Sequence, residues 1–208
     1  MKQFKLLFLA MLLCTSVATW AQSRQPIPVN ETPKNDAVMK AILTRKSVRT
    51  YTPQNVTKED IMPLLQAGMS APSAMNRQPW EFIVITDRTQ MKKLIEANHN
   101  NEQILQGAKA AIIVCGNMKK TIEGEGKDYW IQDCSAATEN ILIAAESMGL
   151  GAVWTGVYPI KTRVNALKKA LALPEYIIPL NVIPLGWQTG NDNPKDKFTE
   201  KAIHWDKF

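Results

Sequence analysis

Tyr129-Trp-Ile-Gln-Asp-Cys-Ser-Ala-Ala-Thr-Glu-Asn-Ile-Leu-Ile-Ala-Ala-Glu-Ser-Met148, stopped by Gly149, is the longest helical pattern in the chain. Its apolar residues Ile131, Cys134, Ala136, Ala137, Ile141, Leu142, Ile143, Ala144, Ala145 and Met148 cover most of the helix circumference. A helix apolar nearly all round is buried on nearly all sides, so this one is predicted to be central or to lie at a subunit interface. Before it, 110–115 is a continuous apolar run that reads as a strand, and 123–126 reads as loop. After it come a strand over 152–157, a helix over 161–172 and a strand over 177–185 interrupted by prolines. Further upstream, a helix from a cap at Asp36 runs to about Leu43. Thr57-Lys-Glu-Asp60 resembles a capping box for a helix over 61–69, strained by Pro63. Then 82–85 is strand, 88–97 helix and 103–106 a shorter helix. Strands and helices mixed without a regular βαβ rhythm predict an α+β domain in three layers.

The N-terminus has a different character. A basic start, Met1 to Lys5, leads into the apolar run Leu6 to Cys14 and then smaller residues ending Thr19-Trp20-Ala21-Gln22. That is the layout of a secretory signal removed after Ala21, predicting an exported, periplasmic protein. The run is short for a permanent membrane helix, and the mature chain is not expected to insert stably in a membrane. Residues 22–35 hold three prolines and read as an extended arm; 36–208 form the domain. Cys14 leaves with the signal, so Cys115 and Cys134 are the mature chain's cysteines, and their pairing is left open.

Composition excludes several classes. Of 208 residues, 45% are hydrophobic and 21% charged, a globular balance. The formal charge of +6 includes Lys2 and Lys5 of the signal; what remains is mild and scattered, which argues against nucleic acid. Two histidines, His99 and His204, cannot build a histidine-rich metal site, and no metal is expected. Gly149-Leu-Gly151 follows a helix and precedes a strand, the reverse of a dinucleotide fingerprint. No phosphate loop or nucleophile elbow is present, and no catalytic acid or base is predicted.

Two segments remain as ligand candidates. Arg45-Lys46-Ser47-Val48-Arg49 is the densest polar cluster and offers guanidinium forks, an ammonium and a hydroxyl suited to phosphate. If extended, it puts Arg45, Ser47 and Arg49 on one face and Lys46 and Val48 on the other. Cations are also favoured at a helix C-terminus without any ligand. Ala71-Pro-Ser-Ala-Met-Asn-Arg-Gln-Pro-Trp80 is a loop stiffened by two prolines, with Ser73, Asn76 and Gln78 able to read a planar heteroaromatic edge. Those side chains could equally bond their own backbone.

Together with Gly149-Leu-Gly-Ala-Val-Trp-Thr-Gly156, Pro194-Lys-Asp-Lys197 and His204-Trp205, these segments resemble the nitroreductase family of FMN-dependent oxidoreductases, in order and over essentially the whole mature chain. The resemblance implies a homodimer with a central mixed, mainly antiparallel sheet among helices and FMN at the subunit interface. Arg45, Lys46, Ser47 and Arg49 would hold the phosphate and polar flavin edge, with Arg49 toward the pyrimidine. Asn76 and Gln78 would bond the ribityl chain or ring edge. Pro72 and Ser73 would reach the flavin of the other subunit. Trp154, Thr155 and Gly156 would place backbone near the reactive nitrogen, and Lys195 and Lys197 would close on the phosphate. The flavin carries the chemistry, with NAD(P)H or another donor and nitroaromatics, quinones or similar small aromatic acceptors taken in turn, a ping-pong mechanism. A dehalogenase-like branch and an exported, non-turnover flavin-binding or scavenging protein are the alternatives.

Overall fold

The computed structural model describes residues 37–208, so the export segment (1–21), the arm (22–35) and the cap at Asp36 lie outside the described residues. The described chain forms two units, one ending at Asp196 and another containing 197–208, and each is described by itself.

In the larger unit the strands are β1 (Trp80–Ile85), β2 (Ala110–Asn117), β3 (Leu150–Ala152), β4 (Thr155–Gly156) and β5 (Ile177–Trp187). They form one sheet in the order β1-β2-β5-β3, with β4 also on β5, and every pairing among the described residues is antiparallel. The helices are α1 (Ala37–Thr44), α2 (Lys58–Met69), α3 (Arg88–Ala97), α4 (Glu102–Gly107), α5 (Tyr129–Ser147) and α6 (Lys161–Ala170).

The layers follow from strand alternation. Along β2, Ala110, Ile112 and Val114 point into a core with Ile61 and Leu64 of α2 and Trp130, Ile141 and Ala145 of α5. Ala111, Ile113 and Cys115 point the other way, against Met91 and Leu94 of α3, Leu105 of α4 and Leu167 of α6. A strand buried on both faces reads as a continuous apolar run, which is why β2 has no polar residue until Asn117. The three-layer α+β expectation holds.

The expected burial of α5 is met on one side. Trp130, Cys134, Ala137, Thr138, Ile141, Leu142 and Ala145 are buried at helical spacing, while Ile131, Ala136, Ile143 and Ala144 are half-buried. The capping box at Thr57 forms both reciprocal bonds with Asp60. Pro63 sits within α2 without ending it.

Two strand expectations change. The single strand over 152–157 is two short pieces, β3 and β4, which share one register on β5. The carbonyl of Ala152 accepts the Val48 N–H at 3.0 Å, so the polar groups of Val153 are the ones turned toward β5. In that register Val153 falls opposite Pro184, which has no N–H to give, and the ladder breaks there. The second strand runs through its prolines to Trp187. A register shift opposite Val114 and Cys115 absorbs one extra residue, Leu180, whose carbonyl accepts the N–H groups of Val157 and Tyr158.

In the smaller unit a short 3₁₀ turn, Glu200–Ala202, precedes His204, whose ring stacks on Phe208 at 4.0 Å. Among the described residues no helix is long and apolar enough to cross a membrane, and no cluster of His, Cys, Asp and Glu could hold a metal.

Candidate functional site

Residues 45–49 leave the end of α1 in extended form and run along β3. Val48 is fully buried, with its side chain over Gly151, where a Cβ would meet Val48 Cγ1 at 2.6 Å. Gly186 lies opposite Gly151 in the ladder, and a Cβ there would meet the Tyr51 ring at 2.5 Å. The paired glycines therefore form a shallow floor on which Val48 and Tyr51 seat the segment. The Tyr51 hydroxyl donates to the carbonyls of Val48 (3.0 Å) and Pro184 (3.3 Å). Burial pushes its ionisation well above the usual phenol range, partly offset by Arg49.

With Val48 fixed inward, alternation turns Ser47 and Arg49 to the surface, where both are exposed. Arg49 spends one guanidinium N–H on the Ser47 carbonyl at 3.1 Å. Lys46, on the Val48 side, places Nζ 3.2 and 3.4 Å from the two oxygens of Glu146 on α5. Gln188 also donates to Glu146, at 2.9 Å. Arg45 pairs with Glu139 of α5 at 2.8 Å. Ser47 and Arg49 are thus displayed, while Arg45 and Lys46 meet carboxylates of the same chain.

Arg49 opens into a cavity of about 530 Å³ lined also by Thr50 and residues 99–104. The turn before α4 is built on buried Asn98, whose side-chain oxygen accepts from Asn101 Nδ2 at 3.1 Å. Arg163 of α6 donates to the Gly156 carbonyl (3.1 Å), and the Asn100 amide oxygen accepts from the same guanidinium at 3.0 and 3.2 Å. This clamp ties the turn to β4. Thr155 is buried, its hydroxyl donating to the Val182 carbonyl at 2.7 Å, and Trp154 is exposed. Beneath β4, buried Asn181 donates to Thr138, which donates to the Cys134 carbonyl. Sequence reasoning missed Asn100, Asn101 and Arg163. Asn98-His-Asn-Asn101 carries only a turn-forming composition, and the sheet is what brings it to Arg49.

The loop over 71–80 is held by bonds of its own and from α5. Ser73 Oγ accepts the Gln78 N–H (3.0 Å), and buried Asp133 accepts the Ala74 N–H (2.8 Å). Met75, Asn76 and Gln78 all have left-handed backbone, at φ 51, 55 and 47°. For non-glycine residues such conformations cost about 1–3 kcal/mol each and persist where surrounding structure enforces them. Pro72 is exposed, Ser73 half-buried, and Gln78 Nε2 donates to Asn76 Oδ1 at 2.9 Å. Asn76 and Gln78 line a second cavity of about 620 Å³, and no residue lines both it and the Arg49 cavity. Lys195 is exposed at the end of the larger unit; Lys197 is exposed in the smaller one.

Cys115 and Cys134 are free and buried. Burial pushes the Cys115 thiol up to about 12 and raises Cys134 as well, so both are protonated thiols at neutral pH.

The model of the nitroreductase family matches residues 42–104 and 96–187, most of the described chain. The chain belongs to the nitroreductase family. Among its relatives, a "Putative NADH dehydrogenase/NAD(P)H nitroreductase" of Archaeoglobus fulgidus is 44% identical over 82% of this chain and 98% of its own length. A solved structure of the same name from Bacteroides thetaiotaomicron is 46% identical, with a TM-score of 0.76 over 83% of this chain and 98% of that one. A "putative nitroreductase in complex with FMN" from Desulfovibrio desulfuricans is 33% identical, with a TM-score of 0.71 over 85% and 99%. Nitroreductase membership accounts for the antiparallel sheet, the helical layers and the order of the sequence segments.

Proposed function

We propose that this nitroreductase-family protein is an FMN-dependent oxidoreductase that takes electrons from NAD(P)H and passes them to nitroaromatics, quinones or similar small acceptors. The observation that carries the reading is Arg49, displayed by the segment seated on the Gly151–Gly186 floor and opening into a cavity with amide side chains. That donor set fits a flavin. Arg49 supplies a positive charge for the pyrimidine edge, Asn101 and Gln103 can bond its carbonyl and imide groups, and exposed Ser47 offers a hydroxyl to the phosphate. FMN, when bound, supplies hydride acceptance and donation.

The chain's own residues bind and orient. The Arg163 clamp fixes the Gly156 backbone relative to the 99–101 turn, so that β4 and the Arg49 cavity form one rigid frame. A second copy of the chain, whose Pro72 and Ser73 would complete the site, belongs to this reading. The half-buried apolar residues of α5 (Ile131, Ile143) and the exposed Val38 and Ile42 of α1 are surfaces for that homodimer. Lys195 and Lys197 belong to this reading as phosphate contacts, and export to the periplasm belongs to it as the fate of residues 1–21.

An anaerobic NADPH titration of the purified protein from Gln22 onward tests the reading. A yellow protein that bleaches supports it. A yellow protein that stays oxidised points to another donor or a flavin-binding role, and a colourless protein that takes up no added FMN refutes it.

A further inference from the structure

Three side chains that carry or can carry charge line the Arg49 cavity: Arg49, Glu102 and His99, all exposed. Arg49 spends one N–H on the Ser47 carbonyl, and Glu102 Oε1 accepts from Gln106 Nε2 at 2.8 Å. Both partners are neutral, so each group keeps its full charge and the two cancel across the lining. His99 therefore sets the net charge of the cavity, zero with its imidazole neutral and one positive charge with it protonated. The elements around the turn leave that balance in place. Glu96 of α3, three residues before His99, and Arg163 of α6, bonded to Asn100, bring one charge of each sign. Lys92 and Lys93 lie further back on α3, in solvent, and Tyr51 keeps its phenol proton. Histidine is the side chain whose ordinary titration falls between about pH 5 and 8. His99 is the one histidine of the larger unit, and its ring nitrogens have no hydrogen bond or ion pair among the described residues.

We propose that His99 is the charge-setting residue of this cavity: it takes up a proton from solvent when negative charge enters, and so selects anionic occupants over neutral ones of the same shape. The proposal rests on the oxidoreductase reading above, in which the occupant is FMN. Arg49 supplies a fixed charge, because a guanidinium does not give up its proton, whereas an imidazole with uncommitted nitrogens can respond. A hydride from NAD(P)H brings two electrons and one proton, which leaves one negative charge on the reduced flavin. The proton that compensates it comes from solvent onto the His99 ring, and returns to solvent when the flavin is reoxidised. An opposite charge nearby favours the protonated imidazole, so the coupling runs both ways: the anion holds the proton and the proton holds the anion.

The test follows the histidine rings of the purified protein from Gln22 onward by NMR. The chain has two histidines, and His99→Gln tells the His99 signal from that of His204. Titrations between about pH 5 and 8.5 are run on the flavin-free protein, with orotate (an anionic pyrimidine), with neutral uracil, with FMN, and with FMN reduced anaerobically by dithionite. The His99 midpoint is expected to rise by about half a pH unit with orotate and with FMN, threefold in proton affinity and the scale of one exposed ion pair, and to rise again on reduction. Uracil should leave it in place. Because the occupied midpoint lies above the free one, FMN affinity is full below the free midpoint and falls about threefold as pH rises through the occupied one. His99→Gln should remove that share of the pH dependence, and His99→Lys should hold the higher affinity throughout. A midpoint that moves by less than about 0.2 pH unit with orotate, FMN and reduced FMN alike overturns the proposal and leaves the oxidoreductase reading intact. A rise with uracil equal to that with orotate assigns the shift to contact rather than charge and also overturns it. Failure to take up FMN sinks the oxidoreductase reading, while the orotate titration still decides whether His99 sets the charge of the cavity.

Discussion

Lys46 is where family resemblance and geometry assign different work, and its substitution separates them. The resemblance gives Lys46 a share of the FMN phosphate. The structure gives it both oxygens of Glu146, with the two side chains only 13% and 12% exposed. In Lys46→Met the apolar stem remains, and Glu146 keeps a single donor, the Gln188 amide. Stranding a carboxylate this deeply costs about 2–3 kcal/mol, below the 3–5 of a fully buried pair because some water still reaches it. For a domain of this size each kcal/mol moves Tm by about 2–4 °C, so a fall of about 4–12 °C is expected by circular dichroism. In Lys46→Met/Glu146→Gln no unpaired charge is left, and most of the loss should be recovered. FMN affinity, measured by quenching of flavin fluorescence, supplies the second axis. If Lys46 tethers the segment, affinity and Tm fall together in the single variant and return together in the double. A Tm within about 1 °C of wild type, with affinity reduced tenfold in both variants, would refute the tether and make Lys46 a phosphate ligand.

Other sites give sharper but narrower expectations. Gly186→Ala drives a methyl to 2.5 Å from the Tyr51 ring, and the resulting overpacking should cost about 1–3 kcal/mol in thermal unfolding. Asp133→Ala removes the acceptor of the Ala74 N–H, so hydrogen exchange should accelerate at 74–78 with little change in β2; equal acceleration everywhere would contradict a local role. Cys115 and Cys134 should resist a disulfide reagent at pH 8 and react only on unfolding. Unfolded thiols ionise near 9 while Cys115 holds its proton to about 12, so stability should also fall as pH rises above 9. Folded Glu81, beside Lys120, gives up its proton more readily than an unfolded carboxyl at 4.5. Its contribution is therefore present above that pH and lost as pH falls through the lower folded value, a step that Glu81→Gln should remove from an acid titration of stability.

What was legible in the sequence follows from which forces are local. Helix α3 spans the expected 88–97 because its apolar positions recur at helical spacing, and the structure adds Asp87 as its cap. The strand over 110–115 was plain because burial on both faces leaves no polar interruption. The break between β3 and β4 was invisible because it depends on the register that puts Val153 opposite Pro184, thirty-one residues downstream. Asn101 and Arg163 were missed for the same reason. A turn asparagine and a helix arginine have no signature until the fold puts one beside Arg49 and the other between Asn100 and Gly156.

The polar cluster over 45–49 shows how a short motif can hold two kinds of residue at once. Had the segment been helical, its four polar side chains would have fanned around an axis and competed for one surface. Extended along β3, it has only two faces, and the Gly151–Gly186 floor decides which is which by accepting Val48. A larger residue at either glycine would lift Val48 or Tyr51 and tilt the alternation, moving Arg49 away from the cavity it now lines. Gly151, which reads in the sequence only as part of an incomplete nucleotide motif, and Gly186 thus control the display of Ser47 and Arg49. The Glu146–Lys46 pair acts on the same face as Val48 and toward the same end, since a segment anchored by one buried valine alone could still rotate about its own axis.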